Sequence, residues 1–99
     1  MNPAPPNWFY VYLLENKPRT ESVRDKQRKK VYIGCTSNLR KRMKEHNEGK
    51  VYSTQKMLPV ELIYFEAYRY KKAAFEREKR LKYYGNTLRN LKLRIGGAG

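Results

Sequence analysis

The longest apolar stretch in the chain, Trp8-Phe9-Tyr10-Val11-Tyr12-Leu13-Leu14, fixes the first element. It is aromatic and β-branched, so it reads as a strand. It is too short to cross a bilayer, and its flanks are unlike those of a signal peptide. No long helix with a broad apolar face is foreseen, so no membrane partner is expected. A second short strand, Val31 to Cys35, follows a charged connection over residues 15–30 that contains Pro18 and has no apolar period. The connection reads as an extended loop or hairpin tip, and the two strands as an antiparallel pair. Strand side chains alternate between faces. Phe9, Val11 and Leu13 share one face, and Tyr10, Tyr12 and Leu14 the other. In the second strand Val31, Ile33 and Cys35 oppose Tyr32 and Gly34. Apposed phenol faces bring Tyr12 towards Tyr32, and a strand glycine at Gly34 lets a ligand or another backbone come close.

Ser37 or Asn38 can cap a helix over Leu39 to Asn47, ended by Gly49. Residues 50–59 read as a loop carrying Tyr52, Ser53 and Thr54. Val60 to Tyr68 is a third strand. Lys71 to Tyr84 is a second helix stopped at Gly85. Asn86 or Thr87 can cap a short basic helix through Ile95. The order β-β-α-β-α-α predicts an α+β domain. Residues 1–7, with Pro3, Pro5 and Pro6, read as a flexible lead and 96–99 as a flexible end, leaving 8–95 as the domain. A chain of 99 residues buries only about 60–65% of its unfolded surface. One core is expected, with few spare interior positions, so a charge on a core-facing stripe is costly.

Charge sets the partner class. Lys and Arg number 23 against nine Asp and Glu, a formal charge of +14. A compact domain so charged repels itself, and a polyanion relieves the repulsion while releasing counterions. The single cysteine, Cys35, has no internal disulfide partner, and no Cys/His cluster has zinc spacing. A reducing, intracellular (cytoplasmic) setting follows as the expectation.

A few polar residues point inward. At about 100° per residue, Tyr70, Ala74, Glu78 and Leu81 fall on one stripe of the second helix, with Glu76 nearly opposite. Glu78 then needs a cation, either an Arg or a metal ion. On the first helix Leu39 and Met43 define the inner stripe and His46 lies close to it. Lys41, Lys44 and Glu45 face out. Arg40 and Arg42 flank the stripe on opposite sides, and periodicity does not choose between them; Arg42 stands one turn before His46. Phenols, a guanidinium, an imidazole and one carboxylate suit phosphodiester hydrolysis. The carboxylate can hold a divalent metal. An Arg fork binds phosphate oxygens. A phenol or imidazole with a lowered pKa can deprotonate the attacking water. One carboxylate implies one metal, not two.

At these residues the chain resembles the GIY-YIG nuclease superfamily, close to its small stand-alone members and to the N-terminal nuclease domain of the excision-repair protein UvrC. Tyr10-Val11-Tyr12 stands for the first signature and Tyr32-Ile33-Gly34 for the second. The helix after Gly34, the segment Gly49 to Pro59 with Tyr52-Ser53-Thr54, the strand Leu62-Ile63-Tyr64-Phe65-Glu66 and the helix Ala74-Phe75-Glu76-Arg77-Glu78 follow in the family's order. The resemblance spans Phe9 to Ile95. It implies a three-stranded antiparallel sheet flanked by helices, with the site on one face. It implies a metal-dependent endonuclease with a single Mg²⁺ (or Mn²⁺) on Glu78. Arg42, the arginine placed after the glycine as in the family, would hold the scissile phosphate. Tyr12 and Tyr32 would line the nucleophile side, with Tyr12 favoured as general base and His46 assisting.

Gly34, Arg40, Lys41, Tyr52, Ser53, Thr54, Lys82 and Asn90 are the expected nucleic-acid contacts, Asn86 standing second to Asn90. The expected substrate is branched, nicked or damaged DNA, read by structure more than sequence, as in DNA repair, by a monomer or weak homodimer. The alternative is a non-catalytic nucleic-acid-binding module with the same fold. Tyr10 replaces the glycine of the first signature. The connection over 15–30 is longer than the family's turn, either a DNA-contacting flap or an insertion. No separate DNA-binding domain follows the core, so strong sequence specificity is not expected without dimerisation.

Overall fold

The computed structural model describes residues 7–17 and 30–96. All but one residue of the flexible lead, most of the charged connection and all but one residue of the flexible end foreseen above lie outside the described residues.

Three strands form one antiparallel sheet in the order β2-β1-β3, with β1 Phe9–Asn16, β2 Val31–Thr36 and β3 Val60–Tyr68. β1 is central. Four consecutive residues, Val11 to Leu14, are therefore fully buried, which is what a strand covered on both faces requires. Glu15 and Asn16, assigned above to the connection, extend the β1 ladder. Glu15 pairs with both Val31 and Glu61, and the Lys30 backbone N–H donates to Asn16 Oδ1 at 2.7 Å. Between Leu13 and Leu14 the β1–β3 register slips by one residue, leaving Ile63 unpaired.

The single core expected from chain length is in fact two. On one face Val11, Leu13 and Ile33 pack with Ala74, Leu81 and Leu91. These last come from α2 (Lys71–Tyr83) and α3 (Gly85–Arg94). On the other face Tyr12, Leu14 and Val60 pack with Tyr32, Leu39, Met43 and Leu62. That face is covered by α1 (Leu39–Asn47) and by a 3₁₀ helix, Tyr52–Met57, inside the segment read as loop. The alternation of β1 was legible, but alternation says nothing of how many layers cover a strand.

Caps explain two further differences. Asn38, not Ser37, caps α1, its Oδ1 accepting the Lys41 N–H at 3.0 Å. Tyr70 precedes α2 in extended conformation, so it leaves the inner stripe and is 73% exposed. Tyr84 is extended too, ending α2 and opening α3 directly at Gly85. Gly85 therefore starts a helix, and neither Asn86 nor Thr87 caps it.

A polar clamp fastens α2 to β3. Glu66 accepts from Tyr64 Oη at 2.6 Å, Tyr68 Oη at 2.7 Å and Arg77 Nε at 2.6 Å. Burial alone would raise the Glu66 pKa, but the three donors together hold it below the usual carboxylate range. Arg77 is the residue before Glu78, so the clamp fixes the helix turn that carries the candidate metal ligand.

Candidate active site

Residues paired across a sheet share a face, and Tyr12 on β1 lies opposite Gly34 on β2 and Phe65 on β3. A side chain at Gly34 would collide with the Tyr12 ring. The glycine is thus needed by the phenol above it. Gly34 was assigned to nucleic-acid approach, but the Tyr12 ring already fills that space.

α1 lays His46 onto the same face. Tyr12 Oη and His46 Nε2 are 2.8 Å apart, and His46 Nδ1 and Thr54 Oγ1 are also 2.8 Å apart. Thr54 Oγ1 donates to the Val51 carbonyl at 3.3 Å. That bond uses the threonine hydrogen, so Oγ1 accepts from His46 Nδ1–H. Nε2 then carries the lone pair and Tyr12 donates to it. All three residues are fully buried. Thr54, assigned to nucleic-acid contact, instead orients the imidazole, because the 3₁₀ helix turns it inward. Its neighbours Tyr52 (86% exposed) and Ser53 face solvent. Tyr32 completes the cluster, its ring centroid 5.2 Å from His46 and 6.2 Å from Tyr12.

Burial pushes the Tyr12 pKa up to about 12, with Arg42 only partly opposing the rise. Burial, with the Arg42 charge adding to it, lowers the pKa of His46. The imidazole is therefore a neutral acceptor near pH 7, and the phenol keeps its proton. Arg42 is raised, first through the Tyr12 oxygen beside it. Its terminal nitrogen reaches Glu45 at 3.8 Å, yet its Nε is buried without a hydrogen-bond partner. Arg40 and Lys41 are exposed on the same helix. The structure thus separates the two arginines that periodicity left level: Arg42 joins the phenol–imidazole cluster and Arg40 faces out.

Glu78 stands apart. It lies on α2, which packs on the opposite face of the sheet against β1 and β2. Its side chain is 22% exposed and pairs with Lys82 at 3.3 Å. Its charge is still felt on both faces, raising the pKa of Tyr12 as a minor cause and that of Cys35 after burial. Of the cations foreseen for Glu78, the described structure places no Arg beside it but a lysine, Lys82, one turn on. Asn90 and Asn86 are exposed on α3, on that same far side. Among the described residues no group of three or more His, Cys, Asp or Glu could hold a metal. A lone, partly solvated carboxylate does fit a hard divalent cation that keeps most of its water, and it does not fit zinc. No helix among the described residues is long and apolar enough to cross a membrane.

Known proteins are similar to this chain over most of its length. The family model of the GIY-YIG catalytic domain matches residues 8–90. A UPF0213 protein of Clostridium perfringens is 37% identical over 87 residues, covering 87% of this chain and 80% of the relative. One from Haloquadratum walsbyi is 32% identical over 80 residues, covering 79% and 78%. One from Streptococcus pyogenes is 36% identical over 74 residues, covering 74% and 70%. No solved structure matches the chain significantly.

Proposed function

The chain belongs to the GIY-YIG family, which implies nuclease-type activity on a nucleic acid, and from that premise we propose a divalent-metal-dependent DNA endonuclease with Tyr12 as general base and Arg42 as phosphate clamp. One observation carries the reading. Arg42 Nε is a buried donor without an acceptor, beside a phenol hydrogen-bonded to a neutral imidazole. An unpaired buried donor costs about 1–3 kcal/mol, and a phosphate oxygen arriving with substrate would satisfy it.

A phenol with a pKa near 12 is not ionised in advance at neutral pH. Its proton must leave as it takes another. As the water oxygen bonds to phosphorus, the water proton passes to Tyr12 Oη, and the Tyr12 proton passes to His46 Nε2. Thr54 holds Nδ1–H throughout. The bond from phosphorus to the leaving oxygen breaks, and that oxygen takes a proton from solvent. Tyr32 packs beside both rings and lines the nucleophile side. Glu78 is the residue that would hold Mg²⁺ or Mn²⁺, which when bound supplies Lewis-acid stabilisation of the phosphate charge.

The test is plasmid nicking with Mg²⁺ by the wild type and by Glu78→Ala. The expected result is loss of nicking with DNA binding kept. Undiminished metal-dependent nicking by Glu78→Ala would remove the metal assignment. The second reading, a binding module without catalysis, draws on the Glu78–Lys82 ion pair, since a satisfied carboxylate has no need of a metal. A wild type that binds DNA but fails to nick it whichever divalent cation is supplied would establish it.

A further inference from the structure

Phe65 is 51% exposed although it lies directly across from Tyr12 in the β1–β3 register. α1 covers only part of that face, and the aromatic end stays bare. There Phe65 meets Tyr10 edge-on, ring centroids 6.1 Å apart at 65°. Together with Arg40, Asn38, Met43 and Leu62 they line an open groove of about 520 Å³, within the range of small-ligand sites. Among the described residues no acidic side chain lines it. Arg40 stands exposed on its rim.

We propose that this groove is a subsite for one unpaired DNA base, belonging to the strand whose phosphate is held at Arg42. The proposal rests on the nuclease reading and narrows its substrate. Position is the first argument: cross-strand neighbours stand about 5 Å apart at Cα, so the Phe65 ring is one residue step from the Tyr12 column. A base attached beside a phosphate at Arg42 can reach it. Chemistry is the second. An exposed aromatic face next to a guanidinium is what an unstacked base uses, by stacking and by attraction of its flanking phosphate to the cation. The basic rim and the chain's net charge of +14 favour a nucleic acid over an apolar peptide as occupant. A base inside a continuous duplex has both faces taken by its neighbours. The groove therefore selects DNA with an unpaired nucleotide next to the cleaved bond.

The experiment uses a DNA duplex carrying a single unpaired 2-aminopurine, and its fully paired counterpart, in EDTA so that nothing is cut. The wild type is expected to bind the unpaired form about tenfold more tightly, within the range of one base–aromatic stack, and to quench its fluorescence. Phe65→Leu keeps an apolar strand residue but no ring face. It should lose both the preference and the quenching while binding the paired duplex as before. Phe65→Trp should restore both. A wild type without preference for the unpaired base, or a Phe65→Leu variant that keeps both signals, would overturn the subsite. Plasmid nicking is read separately: a wild type that quenches but never nicks overturns the nuclease reading and leaves the subsite standing.

Discussion

Replacing Thr54 with valine deletes one oxygen from a fully buried position and keeps the side-chain shape. In the wild type that oxygen accepts from His46 Nδ1 at 2.8 Å. Without it the imidazole has two choices. It can keep its proton on Nδ1 as an unsatisfied buried donor, at about 1–3 kcal/mol. Or it can move the proton to Nε2, where it donates to the Tyr12 hydroxyl. The second choice spares the fold but leaves Tyr12 with nowhere to pass its proton. Loss of a positioned proton acceptor lowers a rate by about 10²- to 10⁴-fold. Thr54→Val is therefore expected to lower kcat about 100-fold, with DNA affinity within about twofold of wild type. Thr54→Ser, which keeps Oγ, should recover most of the rate.

The assay is Mg²⁺-dependent nicking at saturating DNA, beside fluorescence anisotropy for binding and urea denaturation for stability. The opposite pattern would refute the reasoning. If Thr54→Val weakened DNA binding with kcat intact, Thr54 would be a nucleic-acid contact after all, and the buried Tyr12–His46–Thr54 relay would not carry the proton.

Gly34→Ala should destabilise the fold by about 1–3 kcal/mol through overpacking against the Tyr12 ring; an unchanged urea midpoint would show that the ring does not need the glycine. The folded His46 pKa lies below its ordinary 6.5, so its contribution to stability is present above about pH 6.5 and is lost as pH falls towards the folded value. His46→Gln should flatten that acid limb in denaturation at stepped pH. Tyr12 works in the opposite sense. Its pKa of about 12, against 10.0 in ordinary phenols, gives a contribution present below pH 10 and lost between 10 and 12, about 2–3 kcal/mol in all. Tyr12→Phe should remove that alkaline loss. Arg77→Met leaves the Glu66 carboxylate without its cation and should cost about 3 kcal/mol, read by urea denaturation; a neutral effect would mean that the two tyrosines alone hold Glu66.

Element order and the phenol face were legible because both follow from local spacing. Tyr10, Tyr12 and Leu14 alternate with Phe9, Val11 and Leu13, and that pattern survives whatever packs above it. What needed the structure is set by chain reversals. Tyr70 satisfies the helical period but stands one residue outside the helix, so its backbone turns it to solvent. Thr54 sits in a polar stretch that reads as loop, and a single 3₁₀ turn sends it to the imidazole. The Glu66 clamp did leave a signal: Tyr64, Glu66 and Tyr68 alternate on one strand face, so two phenols flank a carboxylate that a half-buried strand would not otherwise keep. Glu78 was singled out by period and proves part-buried, but period could not tell that its helix lies behind the sheet.

That placement makes β1 the element on which the site depends twice. Its phenol face holds Tyr12 so deep that burial makes it a poor base, and in the proposed relay His46 is the group that takes its proton. Its aliphatic face, through Val11 and Leu13, seats Ala74 and Leu81, the residues that position Glu78 on α2. The proton relay and the candidate metal ligand therefore share no hydrogen bond among the described residues; the Glu78 charge reaches Tyr12, and one buried strand seats them both. A change in the far core, at Leu81 for instance, moves Glu78 relative to Tyr12 without touching either. Such a change should cost stability, as any loss from a buried core does. It should lower nicking by more than that loss explains, read by nicking beside urea denaturation, while the Tyr12–His46–Thr54 bonds on the other side of the sheet stay in place.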